Sequence, residues 1–270
     1  MIHSSLKPTK LWPVIASTFL VGVSLFNAAA MASSEKGLHI AQEMKSRDIG
    51  WIDSQAEMKM VLRNKQGESS ERAIRIQTLE VKDDGDKSMS IFDSPQDVKG
   101  TAFLSFSHAL TDDEQWLFLP ALARVKRISS SNKSGPFMGS EFAYEDLSSF
   151  EVPKYTYNYL RDEDVNGVKS FVVESFPVDK NSGYTRRIVW IDQEHYRVQK
   201  IEFYDRRDGL LKTLTMNKYQ QYLNKYWRPS NMLMVNHQSG KQTELEWSNY
   251  QFGTGLKDED FNQNTLKRAR

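Results

Sequence analysis

A chain of 270 residues that carries 36 Lys and Arg against 35 Asp and Glu lacks the strongly basic balance that a nucleic-acid partner requires. With no cysteine at all, disulfides, thiolate catalysis, cysteine-ligated metals and lipid attachment to an N-terminal cysteine are excluded. Stability must come from an ordinary apolar core, for which 39% hydrophobic and 11% aromatic residues over about 240 mature positions suffice.

The first 32 residues read as a secretory leader. Lys7 and Lys10 form a basic start, and residues 11–26 (LWPVIASTFLVGVSLF) form an apolar core that is short, with Pro13, for a membrane span. Ala28-Ala29-Ala30 or Ala30-Met31-Ala32 then supplies a small-x-small cleavage pattern. The expectation is a signal peptide over residues 1–32, cleaved after Ala30 or Ala32, and an exported domain over 33–270, an uncleaved anchor being the alternative. Without Lys7 and Lys10, 34 cations face 35 carboxylates, so the mature chain is close to neutral.

Beyond the leader, Ser33 or Ser34 is placed to cap a helix with Leu38, Ile40, Ala41 and Met44 toward one face, ending near Ser46 to Asp48. From Trp51 the period changes to two: Ala56, Met58, Met60 and Leu62 alternate with Glu57, Lys59, Val61 and Arg63. A turn at Asn64 to Gly67 leads to a second alternating run, ERAIRIQTLEVK, at 71–82. Further strands are predicted near 87–93, 101–107, 115–119, 123–129, 168–178, 184–192, 197–205, 210–222, 231–237 and 242–252. Turn clusters such as Asp83-Asp84-Gly85-Asp86, Val165-Asn166-Gly167 and Arg207-Asp208-Gly209 separate them. Helical candidates remain near 140–150 or 155–160 and at 257–268. Strand, short turn, strand without intervening helices specifies an antiparallel meander. The predicted fold class is mainly β, one strongly curved sheet with a few helices against its concave face.

Catalytic patterns are sparse. Beyond the leader, His39, His108, His195 and His237 are mutually distant in sequence and lack metal-ligand spacing. Ser130-Ser131-Asn132-Lys133 matches S-x-x-K, but Pro136 follows closely and the companion elements of that motif are missing. Gly135 and Gly139 lack the spacing of a phosphate loop. The acidic clusters lie in predicted turns, where solvation explains them. What remains is apolar: a concave face only partly covered by helices leaves a pocket, and methionines suit a lining that adapts to flexible chains.

Gln115-Trp116-Leu117-Phe118-Leu119-Pro120, Arg124-Val125-Lys126-Arg127-Ile128, Ser134 through Phe142 and Tyr144-Glu145-Asp146 together resemble the LolA-like periplasmic carriers, in the outer-membrane lipoprotein-sorting branch. Arg187 to Asp192, Gln199 to Asp205 and Leu256 to Phe261 extend the resemblance over most of residues 33–270. It implies an unclosed β-barrel, as in LolA and LolB, with helices as a lid over a cavity for the acyl chains of lipoproteins or lipids. It implies a monomeric, non-enzymatic, cofactor-free periplasmic shuttle between inner and outer membrane, served by an inner-membrane transporter of RND or ABC type and an outer-membrane acceptor. Cavity or lid contacts are expected at Trp116, Phe118, Phe137, Met138, Phe142, Tyr144, Trp190 and Phe203, and hinges at Gly135 and Gly139. Arg124, Lys126, Arg127 and Lys133 are candidate headgroup contacts, a solvated strand face being the alternative. The alternative is a periplasmic binding or sensor module that docks on an inner-membrane transporter or signalling protein and carries nothing.

Overall fold

The computed structural model describes the backbone of residues 19–268 and the side chains from residue 30 to 268. The basic start of the expected leader, and residues 11–18 of its apolar core, lie outside the described residues. A helix, α1 (Phe19–Arg47), precedes β1 (Asp53–Arg63), β2 (Ser69–Leu79), β3 (Lys87–Ser94), β4 (Ala102–Phe106), β5 (Glu114–Leu119) and β6 (Arg124–Ile128). After a 3-10-rich connection come β7 (Tyr155–Val165), β8 (Val168–Pro177), β9 (Tyr184–Asp192), β10 (Val198–Asp205), β11 (Leu210–Tyr222), β12 (Tyr226–Asn236), β13 (Gln242–Phe252) and α2 (Gln263–Arg268).

These form one 13-stranded antiparallel sheet in the order β6-β5-β4-β3-β2-β1-β13-β12-β11-β10-β9-β8-β7. The first strand pairs with the last, Met58 opposite Trp247 and Met60 opposite Leu245. The two strands on either side of the long connection, β6 and β7, therefore become the two edges. They are not hydrogen-bonded to each other, so the sheet curls as a mainly β, unclosed barrel.

Alternation explains most strands, and four local expectations are corrected. Residues 155–160 are not helical but open β7, because Tyr155, Tyr157 and Tyr159 alternate with Thr156 and Asn158 and aromatic side chains fit a pleated surface. Instead of a helix, residues 140–150 hold a tight loop and a 3-10 turn at Tyr144–Leu147. The strand expected at 231 starts at Tyr226, with Pro229 opposite Tyr219. Neither Ser33 nor Ser34 caps α1, which runs through both from Phe19 because residues 28–32 (AAAMA) are good helix formers. The Ser33 hydroxyl instead donates to the Tyr159 carbonyl at 2.6 Å.

On α1, Ile40 and Ala41 are buried against Tyr157, Val173, Val189 and Ile191, whereas Leu38 is 39% exposed. Gly37 takes the inner position expected for Leu38. A Cβ there would lie 2.8 Å from the Tyr159 nitrogen, so the close helix-strand approach requires glycine.

The concave core joins Met58, Met60, Ile74, Phe92, Phe103 and Leu117 to Phe203, Leu214, Met234 and Leu245. A second cluster occupies the convex face, where Phe261 and Leu266 of the C-terminal segment cover Met89, Ile91, Leu104 and Trp116.

Candidate functional site

Residues 129–154 pass from the β6 edge to the β7 edge across the concave face. Within them, residues 135–144 fold back on themselves: the Phe137 amide donates to the Phe142 carbonyl at 2.7 Å and the Tyr144 amide to the Gly135 carbonyl at 3.1 Å. The reversal needs two successive left-handed residues, Met138 at φ 49° and Gly139 at φ 78°. It drives Phe137 into the core, its ring 5.1 Å from Phe103, 5.7 Å from Tyr144 and 5.9 Å from Phe92.

Polar bonds hold this lid down. Arg72 donates to the Met138 carbonyl at 2.6 Å, and the Glu141 amide donates to the Thr243 hydroxyl at 2.9 Å. Lys212, 4% exposed, bonds Asp146, 6% exposed, at 2.7 Å and also donates to the Glu141 carbonyl at 2.8 Å. The Tyr184 hydroxyl completes the Asp146 shell at 2.8 Å. Burial, reinforced by Asp146 and Glu145, holds that phenol well above its ordinary range. A buried ion pair is costly to desolvate and is retained where every polar atom finds a partner, as here.

Side chains also clasp the two sheet edges. Lys133 pairs with Asp179, and Lys154 with Asp113. Glu145 accepts from the Ser182 hydroxyl at 2.7 Å and the Gly183 amide at 2.8 Å.

Two cavities of comparable size lie against the connection, the first beneath the lid and the second beyond it at Ser149 and Phe150. One, of about 670 Å³, opens along the gap between the edges and is lined by Val173, Val189, Ile191, Ile201, Phe203 and Leu214. The other, of about 690 Å³, opens at the C-terminal end of α1 and is lined by Trp51, Ile76, Tyr219, Trp227, Met232 and Trp247. Met44, Ser149, Phe150, Val198 and Met216 line both, so the gap cavity and the end cavity adjoin. Each falls within the roughly 300–1,000 Å³ of ligand pockets. The Asp86 carboxyl faces the end cavity, and burial pushes it up to about 7 against the opposing pull of Lys45.

A family model described only as an uncharacterized protein matches residues 84–268. A crystal structure from Vibrio parahaemolyticus, provisionally described as an outer membrane lipoprotein-sorting protein domain, is 63% identical and superposes with a TM-score of 0.86, covering 87% of this chain and 100% of that one. The chain belongs to the LolA-like family. A DUF1329 family protein from Desulfovibrio piger is 28% identical, with a TM-score of 0.82 over 87% of this chain and 99% of that one. A LolA superfamily protein from Nitrosomonas europaea, 19% identical with a TM-score of 0.69 over 85% and 98%, shares the fold. Comparison with curated proteins gives no match.

In this LolA-like protein the residues singled out by sequence separate into groups. Phe137, Phe142, Tyr144, Met138 and Phe203 meet on the concave side. Trp116 and Phe118 lie on the convex side under the C-terminal segment, while their neighbour Leu117 faces inward. Trp190 also lies outside both cavities, its ring covered by the Lys200 ammonium at 3.5 Å. The reason is parity: in the run Trp116-Leu117-Phe118 both faces are apolar, so the sequence does not distinguish them.

The four cations expected to act together do not converge. Arg124 and Lys126 are exposed on the β6 edge, Arg127 pairs with Glu114 at 3.0 Å, and Lys133 belongs to the edge clasp. Nor does the S-x-x-K serine engage its lysine, since the Ser130 hydroxyl donates to Asp112 at 2.8 Å. Gly139 sits at the reversal with open space around it, whereas a Cβ on Gly135 would lie 3.1 Å from the Asn132 carbonyl. Sequence reasoning missed the end cavity and the Lys212–Asp146 pair. A lysine within the otherwise apolar alternation of Leu210 to Met216 was the available signal.

Proposed function

We propose that this LolA-like protein is a non-enzymatic periplasmic carrier whose adjoining cavities take the acyl chains of a lipoprotein or lipid and shuttle them between the inner and outer membrane. Residues 33–270 act as the carrier domain after removal of the leader. An RND- or ABC-type inner-membrane transporter is the loading partner and an outer-membrane acceptor the destination. The observation that carries this reading is a cavity beneath the lid, walled by Val173, Val189, Ile191, Phe203 and Leu214 and continuous with a second cavity, in a barrel left open along one side. Burial is the driving force: each methylene removed from water contributes about 0.8 kcal/mol. Phe142 and Phe203 contact the chains, Phe137, Met138 and Tyr144 form the inner face of the lid, and Gly139 allows its reversal.

Native mass spectrometry of the exported protein tests the proposal, since one spectrum reports the mature N-terminus, expected at Met31 or Ser33, and any bound mass. A lipid or lipopeptide adduct is expected, and Leu214→Glu in the cavity wall should reduce it by about tenfold or more. Folded protein that repeatedly carries no adduct and takes up no fluorescent fatty acid overturns the reading.

A further inference from the structure

The two cavities differ in charge. Five cations, Lys45, Arg47, Arg197, Lys225 and Arg228, line the end cavity against the carboxyls of Asp48 and Asp86. In the gap cavity five carboxylates outnumber four cations. Arg197 spends its Nε on Asp192 at 2.6 Å, and Arg228 spends one terminal nitrogen on Asp48 at 2.6 Å. Lys225 donates to the Ile49 carbonyl at 2.8 Å and has no carboxylate partner among the described residues. Aromatic rings hold these cations in place: Arg197 lies 4.5 Å from the Trp227 centroid and Arg228 5.9 Å from Trp51. Guanidinium groups fixed over rings, with donors still free, form a pre-organised receptor for phosphate or carboxylate.

We infer that the end cavity binds the anionic head of an amphiphile at Lys225, Arg228 and Arg197, while its chain runs past Met44, Phe150 and Met216 into the gap cavity. The inference rests on the carrier reading and narrows it. The ligand is a lipid with a phosphate or carboxylate head, not the uncharged triacylated terminus of a lipoprotein. It also moves the head away from the β6 edge, where Arg124 and Lys126 stand exposed.

Calorimetric titration of the mature protein with three probes below their micellar concentrations tests it. The probes are short-chain phosphatidylglycerol, phosphatidylcholine with the same chains, and a triacylated cysteine lipopeptide. Phosphatidylglycerol should bind about tenfold more tightly than phosphatidylcholine, the scale of one charge-assisted contact, and the difference should shrink as salt rises. Lys225→Gln with Arg228→Gln should erase the preference and leave phosphatidylcholine binding intact, whereas Arg124→Gln with Lys126→Gln should leave the preference unchanged. Lys225→Glu alone, on an exposed turn, gives the same readout if the double variant is less stable. Equal binding of the two phospholipids, tighter binding of the lipopeptide, or a preference that survives the Lys225 changes overturns the head assignment alone. Failure of all three probes to bind folded protein overturns the carrier reading with it.

Discussion

Phe137 is 2% exposed although it belongs to the connection between the two edge strands. Its ring touches Phe92 of β3, Phe103 of β4 and the lid's own Tyr144, so it seals the lid onto the half of the sheet that precedes it. Phe137→Ala should cost about 3–5 kcal/mol of unfolding free energy in a denaturant titration, the range for a buried aromatic. Asp86 sets a different expectation. Its carboxyl rises from the ordinary 3.8 to about 7 on folding, chiefly through burial. Between those values the folded protein holds a proton that the unfolded chain has released. Stability from this group is therefore complete below about pH 4 and is lost as pH rises through about 7. Asp86→Asn should flatten that decline in thermal melts recorded from pH 4 to 8. The family resemblance marked Phe137 as a cavity or lid contact, but nothing in the sequence marked Asp86, because a turn aspartate is a surface residue by default.

The connection of residues 129–154 behaves as one element. Its inner side is apolar, through Phe137 and Phe142, and its margins are tied by the Lys212–Asp146 pair and the edge clasp. Lys133 and Lys154 are 19% and 21% exposed, so their pairs with Asp179 and Asp113 are shielded more than surface pairs. Lys133→Gln combined with Lys154→Gln should raise amide hydrogen exchange across residues 135–147 by about tenfold while β1 and β13 exchange as before. An equal rise throughout the sheet would mean that the clasp stabilises the whole fold rather than the lid. Strands β9, β11 and β13 were legible to the residue, since marked turn clusters bound each of them. Strand β7 was missed because Tyr-rich sequence beside Pro153 fits a helix start as readily as a strand.

At the scale of the molecule, the order of strands decides where function can reside. Pairing of β1 with β13 places the chain's first and last strands at the centre of the sheet and puts the long connection over its open side. One sheet then makes the wall and the gap, its long connection makes the lid, and the two cavities inside adjoin at Met44, Ser149, Phe150, Val198 and Met216. The sequence by itself determined the antiparallel class, the turns, the reliance on an apolar core and the family. These depend on local periodicity and on residue types that read the same in any context. Only the tertiary structure decided which face of Trp116-Leu117-Phe118 points inward, which cations converge, and that the chain's lid is held by buried charge. Those outcomes depend on sheet curvature and on what covers each face, and both arise from contacts between residues far apart in the sequence.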